Sequence, residues 1–292
     1  MLVRAVPLGL LAGLVAVAFE LMLVAAERAR RLGFIYAEDL GQWGWLVAIG
    51  GCALSVGIGV WLVQALAPDA AGSGIPQIKA VLHHNRTMRA LRVLTVKFLG
   101  GVLAIGGGLT LGREGPTVQM GAALGQYLSD VTDTHAEDRR IITSAGAGAG
   151  LAAAFNAPLA GMLFVIEELH GFISPPLLFA VFIAAVAADV VTRTIFGQVS
   201  AFHVPMPVIP PLYELPWAAL LGILAGLSGV LFNRALLYTH QLMASMRRWP
   251  FGAGGFLVGA LVGVVGWFLP DVVGSGAALI EQQHAIVLDR AH

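Results

Sequence analysis

PDAAGSG at residues 68–74 directly follows a long hydrophobic run, and PDVVGSG at residues 270–276 follows another one near the other end of the chain. A polar, glycine-rich heptad of this kind is tolerated within a membrane only where its backbone groups face protein or a polar cavity. A helix that begins at Gly-Ser-Gly presents unpaired N–H groups and the positive end of its dipole, with no bulky side chain to keep an anion away. The repeated heptad therefore predicts two helix ends aimed at a negative charge.

The composition indicates a protein of the lipid bilayer. Of the 292 residues, 58% are hydrophobic and 12% are charged, and the mean hydropathy is +0.82. These values exceed what a water-soluble globule carries, so we expect an all-α integral membrane protein. The formal net charge of zero provides no basic surface for nucleic acid. The single cysteine, Cys52, excludes an internal disulfide.

Hydrophobic runs long enough to cross a bilayer, roughly 17 to 25 residues each, are predicted at residues 6–26, 43–67, 93–111, 175–191, 217–238 and 251–269. Two further segments are short or interrupted. Residues 117–128 are too few to span upright, and residues 141–166 are broken by Asn-Ala-Pro at 156–158. Segments of this kind predict tilted, broken or re-entrant helices whose free backbone groups face protein or a cavity.

The chain also contains an internal repeat. LGLLAGLVAVAF at residues 8–19 and LGILAGLSGVLF at residues 221–232 are identical at eight of twelve positions, and each is followed by a second span and then by the heptad. We therefore predict a first repeat at residues 1–204 and the start of a second at residues 205–292. Repeated membrane proteins are commonly transporters with a site at the repeat interface. A second repeat as long as the first would continue past His292, so we expect the sequence to be truncated.

The first candidate site is GSGIP, residues 72–76. The Ser73 hydroxyl and the neighbouring amides could donate hydrogen bonds to an unhydrated anion. The alternative is a plain glycine turn with Ser73 as a helix N-cap.

The second candidate is GREGP, residues 112–116. Proline fits the first turn of a helix, so Glu114 is expected at the positive end of that helix, where an anion would also bind. Glu114 is either a favourable cap or a functional carboxylate, because an ionisable residue between apolar segments is costly. The resemblance of residues 107–113 to a phosphate loop is rejected, because the lysine, the following Ser/Thr and the preceding strand are missing.

The third candidate runs over residues 143–169. Gly146 and Gly150, four residues apart, allow helices to approach closely. Glu167 and Glu168 follow an apolar helix and either reach into an aqueous rim or relay protons. Lys97, in the hydrophobic run before GREGP, is expected to be buried. It either pairs with an acid or supplies a fixed positive potential near an anion path.

Together these motifs resemble the CLC family of chloride channels and chloride/proton antiporters. The resemblance rests on GSGIP at residues 72–76, GREGP at 112–116, and AAFNAPLAG at 153–161 with its trailing Glu167-Glu168. It implies a CLC-type helical bundle of two inverted repeats, assembled as a homodimer with one pathway per subunit. It further implies a multi-pass protein of the cell membrane that uses no cofactor. The cytoplasmic nucleotide-binding domains that some relatives carry are not expected within residues 1–292.

The resemblance also implies roles for individual residues, and these are Gly72, Ser73, Gly74, Ile75, Pro76, Arg113 and Gly115 at the anion-binding site, Glu114 as the gate, and Glu168 with Glu167 in proton transfer. Serine at position 73 favours chloride, and an acid at position 168 favours chloride/proton antiport over a gated chloride channel. The family's G-x-F-x-P signature and distal tyrosine are expected beyond His292, so a fragment that does not transport is a further alternative.

An intramembrane serine hydrolase using Ser73 is the reading from a different class of protein. It needs a base within hydrogen-bond reach, and the nearest histidines, His83 and His84, are expected in a polar, basic loop. The residues therefore favour a transporter over an enzyme.

Overall fold

The computed structural model describes residues 2–84, 88–197, 212–245 and 250–274, and all regular structure among them is helical. The chain forms two compact units, one of Met1–Phe202 with Phe251–His292 and the other of His203–Pro250. The predicted boundary between repeats, at residue 204, lies outside the described residues, as do Ser275 and Gly276 of the second heptad.

The first unit contains nine of the α-helices that the structure describes: α1 (Leu2–Asp39), α2 (Gly44–Leu66), α3 (Ile75–His84), α4 (Ala90–Gly106), α5 (Glu114–Val131), α6 (Ala136–Phe155), α7 (Pro158–Phe164), α8 (Pro175–Phe196) and α10 (Ala253–Phe268). A π-helical turn, Val165–His170, follows α7. The second unit contains α9 (Leu215–Ser245).

Four helical segments are long and apolar enough to cross a membrane: Leu2–Asp39, Gly41–Leu66, Pro175–Phe196 and Leu212–Leu242. They coincide with four of the predicted runs, so the expectation of an integral membrane protein is confirmed. The run predicted at residues 93–111 ends earlier than expected, because α4 stops at Gly106. Gly108 has a φ of +107°, a conformation that favours glycine and ends the helix.

Helices α5 and α6 pack through glycine. A β-carbon at Gly146 would lie 2.8 Å from the carbonyl carbon of Gly121, and one at Gly150 would lie 2.8 Å from that of Thr117. Such distances leave no room for a side chain, so the two backbones are in direct contact. The predicted close approach at Gly146 and Gly150 is therefore confirmed.

The predicted break in residues 141–166 is also present. Helix α6 ends at Phe155, Asn156 takes a left-handed conformation with φ 53°, and α7 starts at Pro158. Asparagine tolerates this conformation better than most residues, and proline suits a first helical turn. The π-helical turn that places Glu167 and Glu168 was not predicted.

The two heptads share one backbone conformation over the part that the structure describes. Each contains a 3₁₀ turn, Pro68–Ala70 in the first and Pro270–Val272 in the second. The residue after each turn is extended, and the following glycine has a positive φ, +68° at Gly72 and +105° at Gly274. Over these residues the two heptads therefore match in backbone conformation as well as in sequence.

Candidate functional site

Glycine shapes the start of α3. Gly72 and Gly74, on either side of Ser73, have φ values of +68° and +87°. The chain turns sharply here because glycine adopts this region at no steric cost. The Ile78 amide makes a first-turn hydrogen bond, 3.0 Å to the Gly74 carbonyl. The amides of the first turn before it lie at the positive end of the helix dipole, where a helix has no intrahelical acceptors for its N–H groups.

Helix α5 begins at Glu114, where the sequence predicts a helix start. Its Thr117 amide donates to the Arg113 carbonyl at 3.1 Å, and the Thr117 hydroxyl donates to the Glu114 carbonyl at 2.8 Å. The Glu114 carboxylate therefore lies at the positive end of its own helix.

These two helix starts meet. A β-carbon at Gly115 would lie 2.9 Å from the Ser73 carbonyl oxygen and 3.2 Å from the Ser73 α-carbon. Only a residue without a side chain permits this approach between the two backbones. The structure thus brings the GSGIP and GREGP motifs, including Ser73 and Glu114, to one place.

Lys97 lies beneath the first heptad and is 5% exposed, as predicted. Its ammonium donates to the Ala70 carbonyl at 2.9 Å and to the Gly72 carbonyl at 2.5 Å. Within the described ranges Lys97 forms no ion pair. Its charge is held by the heptad's own backbone, immediately below Ser73.

Gln119, which the sequence analysis did not single out, supports the same heptad from α5. Its side-chain amide nitrogen donates to the Asp69 carbonyl at 2.7 Å, and the residue is fully buried. A β-carbon at Gly74 would lie 2.6 Å from the Gln119 β-carbon. A polar residue in an otherwise buried helix is the sequence feature from which this supporting role could have been predicted.

Arg113 is paired with Glu20 of α1, and its guanidinium also donates to the Ala154 carbonyl at 3.2 Å. The Glu20 and Arg113 side chains are 25% and 31% exposed. Glu20 was not assigned a role from sequence. A carboxylate within an otherwise apolar span was the signal that could have identified it.

The two glutamates lie away from the helix starts, on the π-helical turn, and both are exposed. The Glu168 Oε1 accepts a hydrogen bond from the Lys79 ammonium of α3 at 2.6 Å. Lys79 is six residues after Ser73, so about 9 Å of helix separates the two positions. Helix α3 therefore connects the meeting point of the helix starts to the acidic turn.

His83 and His84 both lie within α3, so the expectation that they occupy a loop is wrong. The histidines extend the helix because nothing before residue 85 interrupts its hydrogen bonding. The His83 Nε2 atom lies 3.1 Å from the Leu169 carbonyl oxygen. This places the imidazole at the far end of α3 from Ser73, which removes the support for a serine hydrolase.

Sequence comparison identifies a matching family model and similar proteins. The family model described as voltage gated chloride channel matches residues 51–285. An H(+)/Cl(-) exchange transporter ClcA from Vibrio cholerae serotype O1 is 42% identical over 280 residues, which are 93% of this chain and 59% of that protein. The ClcA of Vibrio parahaemolyticus is 40% identical over 287 residues, 96% of this chain and 61% of that protein.

Two solved structures are similar to this chain in fold. A slow cyanobacterial Cl⁻/H⁺ antiporter superposes with a TM-score of 0.87 at 33% identity, over 94% of this chain and 65% of that one. A CLC-type fluoride/proton antiporter has the same fold, with a TM-score of 0.80 at 22% identity, over 96% and 68%. The chain spans about three fifths of the length of the curated relatives it matches.

Proposed function

The chain belongs to the voltage-gated chloride channel (CLC) family, and from this premise we propose that it takes part in chloride/proton antiport across a membrane. The observation that carries the proposal is the contact between Ser73 and Gly115, which brings two helix N-termini to one place. Relatives named H(+)/Cl(-) exchange transporters support the pairing of these two ions.

The anion site is assigned to GSGIP and the start of α5. Chloride is held by the Ser73 hydroxyl and by free amides of the two helix ends, with Gly72, Gly74, Ile75 and Pro76 shaping the first of them. Gly115 contributes its amide from the second. Dehydrated chloride is stabilised there because helix dipoles and unpaired N–H groups replace its water.

Glu114 is the gate in this proposal. Its carboxylate carries the same charge as chloride and lies at the same positive helix end, so the two compete for one place. Protonation removes that charge and releases the place to an anion. Competition of this kind couples anion binding at the site to protonation of the Glu114 carboxylate that leaves it.

Two cations support the anion site electrostatically. Lys97 holds the carbonyls of Ala70 and Gly72 and adds a positive charge below Ser73. Arg113 stands one residue before Glu114, and its pairing with Glu20 anchors the start of α5. A fixed charge in a low-dielectric region acts over a longer distance than one in water.

Glu168 is assigned to proton transfer, with Glu167 beside it at the aqueous rim. Both side chains are exposed, so they can exchange protons with bulk water. Helix α3 leads from this turn toward the anion site. The proposal therefore separates the proton entrance from the gate.

The assembly follows the resemblance to the family. We propose that residues 1–204 form a first inverted repeat and residues 205–292 begin a second, and that two copies of the protein form a dimer in the cell membrane. The shared backbone conformation of the two heptads supports the repeat.

The test uses the protein expressed from its complete reading frame and reconstituted in liposomes. A chloride gradient is imposed, and the external pH records whether protons move uphill. Proton movement is expected in the unmodified protein and is expected to be lost in Glu168→Gln, while Glu114→Gln is expected to lose both coupling and pH dependence. Glu137→Gln, an exposed acid at the start of α6, is the control.

Each contrary outcome has a distinct meaning. Chloride flux without proton movement in the unmodified protein would make it a channel of the same fold. Unchanged fluxes and pH dependence in Glu114→Gln would remove the gate assignment.

A further inference from the structure

The ion pair between Lys79 and Glu168 joins two segments that are far apart in sequence. The Lys79 ammonium lies 2.6 Å from the Glu168 Oε1, and the side chains are 38% and 50% exposed. Lys79 belongs to α3, the helix that starts directly after Ser73. Glu168 lies on the π-helical turn. The pair therefore connects the helix of the anion site to the acid assigned to proton transfer.

The contact engages one of the two oxygens of the carboxylate that has to receive the proton. An ammonium that donates to a carboxylate oxygen at this distance makes a charge-assisted hydrogen bond. A proton that binds either oxygen neutralises the carboxylate, so the charge-assisted bond to Lys79 is lost when the proton binds. Because both side chains reach water, the pair can open without leaving an unsolvated charge.

We propose that Lys79 is a positioning residue that controls proton loading of Glu168, an inference that rests on the proposed function. In the loading step the Lys79–Glu168 hydrogen bond breaks, one proton from bulk water binds a Glu168 carboxylate oxygen, and the ammonium is released to solvent with its charge unchanged. When the proton leaves Glu168 toward the gate, the ion pair forms again. Lys79 itself exchanges no proton.

Other titratable and charged groups surround this turn. Glu167 and His170 lie on the turn itself, and His83 faces it from α3. The positive charge of Arg140 in α6 interacts electrostatically with His170. The His170 Nε2 lies 2.8 Å from the Ser144 hydroxyl oxygen, and the His83 Nε2 lies 3.1 Å from the Leu169 carbonyl. In these contacts both imidazoles bond neutral groups, which leaves Lys79 as the cation on Glu168 Oε1.

The experiment measures proton-coupled chloride flux in liposomes for Lys79→Gln and Lys79→Arg. At neutral pH on the Glu168 side protons are scarce and loading limits turnover, so Lys79→Gln is expected to raise the flux about two- to five-fold, the range of one solvent-exposed ion pair. At acidic pH the two proteins are expected to converge. Lys79→Arg keeps the cation and is expected to match the unmodified protein, with chloride affinity unchanged in both variants.

Two controls separate this role from a structural one. Arg139→Gln removes an ion pair of similar exposure, to Asp130 at 3.2 Å, and is expected to leave the flux unchanged. In a Glu168→Gln background, Lys79→Gln is expected to have no further effect, because no carboxylate remains to be held.

The inference fails if Lys79→Gln leaves the neutral-pH flux unchanged, raises it equally at acidic pH, or still raises it in the Glu168→Gln background. Its failure is distinct from that of the proposed function. If Glu168→Gln abolishes proton movement while Lys79→Gln behaves like the unmodified protein, only the role of Lys79 is overturned. If Glu168→Gln leaves proton movement intact, the proton assignment itself is overturned and the role of Lys79 with it.

Discussion

Ser73 and Gly115 are in backbone contact, so close that a β-carbon at Gly115 would lie 2.9 Å from the Ser73 carbonyl oxygen. The contact joins the N-terminal ends of α3 and α5, which otherwise share few neighbours. Two positive helix ends would repel each other if nothing negative lay between them. The contact therefore makes physical sense beside a bound anion or beside the carboxylate of Glu114.

Gly115→Ala tests this contact directly. The added methyl group meets backbone rather than a flexible side chain, so the two helix ends have to move apart, at a cost of about 1–3 kcal/mol. We expect chloride affinity, measured by isothermal titration calorimetry, to fall on the order of tenfold. Gly50→Ala is the matched control, because a β-carbon at Gly50 of α2 has nothing within 4 Å. Equal affinities in the two variants would contradict the assignment.

Lys97→Met tests the support beneath the heptad. The change keeps the length of the side chain but leaves the Ala70 and Gly72 carbonyls without their donor. The Ala70 carbonyl is buried, and leaving it unpartnered costs about 1–3 kcal/mol, while relief from burying a charge offsets part of this. We expect a net loss of about 2 kcal/mol, seen as a fall in the melting temperature on the order of 5 °C.

Chloride affinity should fall together with stability in Lys97→Met, because the positive charge below Ser73 is also lost. Arg92→Met is the control, since Arg92 lies exposed on the same helix. A variant as stable as this control would show that the heptad holds its conformation without Lys97.

Local backbone geometry could be predicted from the sequence where glycine, proline or asparagine dictates it. The start of α5 at Glu114, the break at Asn156 and the sharp turn around Ser73 all follow from such residues. The spacing of Gly146 and Gly150 predicted that another helix approaches closely there, but not that the partner is α5. These features depend on residues that are neighbours in sequence.

Side-chain partners could not be predicted in the same way. Lys79 and Glu168 are 89 residues apart, and Arg113 lies on a different helix from Glu20, so only the packing of helices brings each pair together. The π-helical turn at Val165–His170 was also not predicted. Polar residues in apolar helices indicated which positions are candidates for a functional role, but not which side chains they contact.

Gly121→Ala tests the glycine contact between α5 and α6. A β-carbon there would lie 2.9 Å from the carbonyl carbon of Gly146, which is backbone and cannot rotate away. We expect a destabilisation of about 1–3 kcal/mol, measured as a lower melting temperature in detergent. Gly51→Ala in α2 is the control, because its β-carbon would meet nothing within 4 Å. If both variants melt alike, the two helices can separate at little cost.

The ion pair of Glu20 and Arg113 is tested by a double-mutant cycle of Glu20→Gln and Arg113→Met. Each single change leaves a partly buried charge without its partner inside an apolar region, whereas the double change removes both charges. We expect each single variant to lose about 1–3 kcal/mol of stability and the double variant to lose less than the sum, with a coupling energy on the order of 1 kcal/mol.

The pair also anchors Arg113, the residue before the gate Glu114. Breaking the pair should therefore change chloride transport as well as stability. With Arg113 released, the start of α5 is less fixed, and Glu114 competes with chloride less effectively. We therefore expect Glu20→Gln to weaken the pH dependence of chloride flux while leaving the protein folded. Strictly additive stabilities, together with an unchanged pH dependence, would mean that α5 is positioned by its contacts with α6 alone, because the glycine-mediated packing would then be sufficient to hold Glu114 in place.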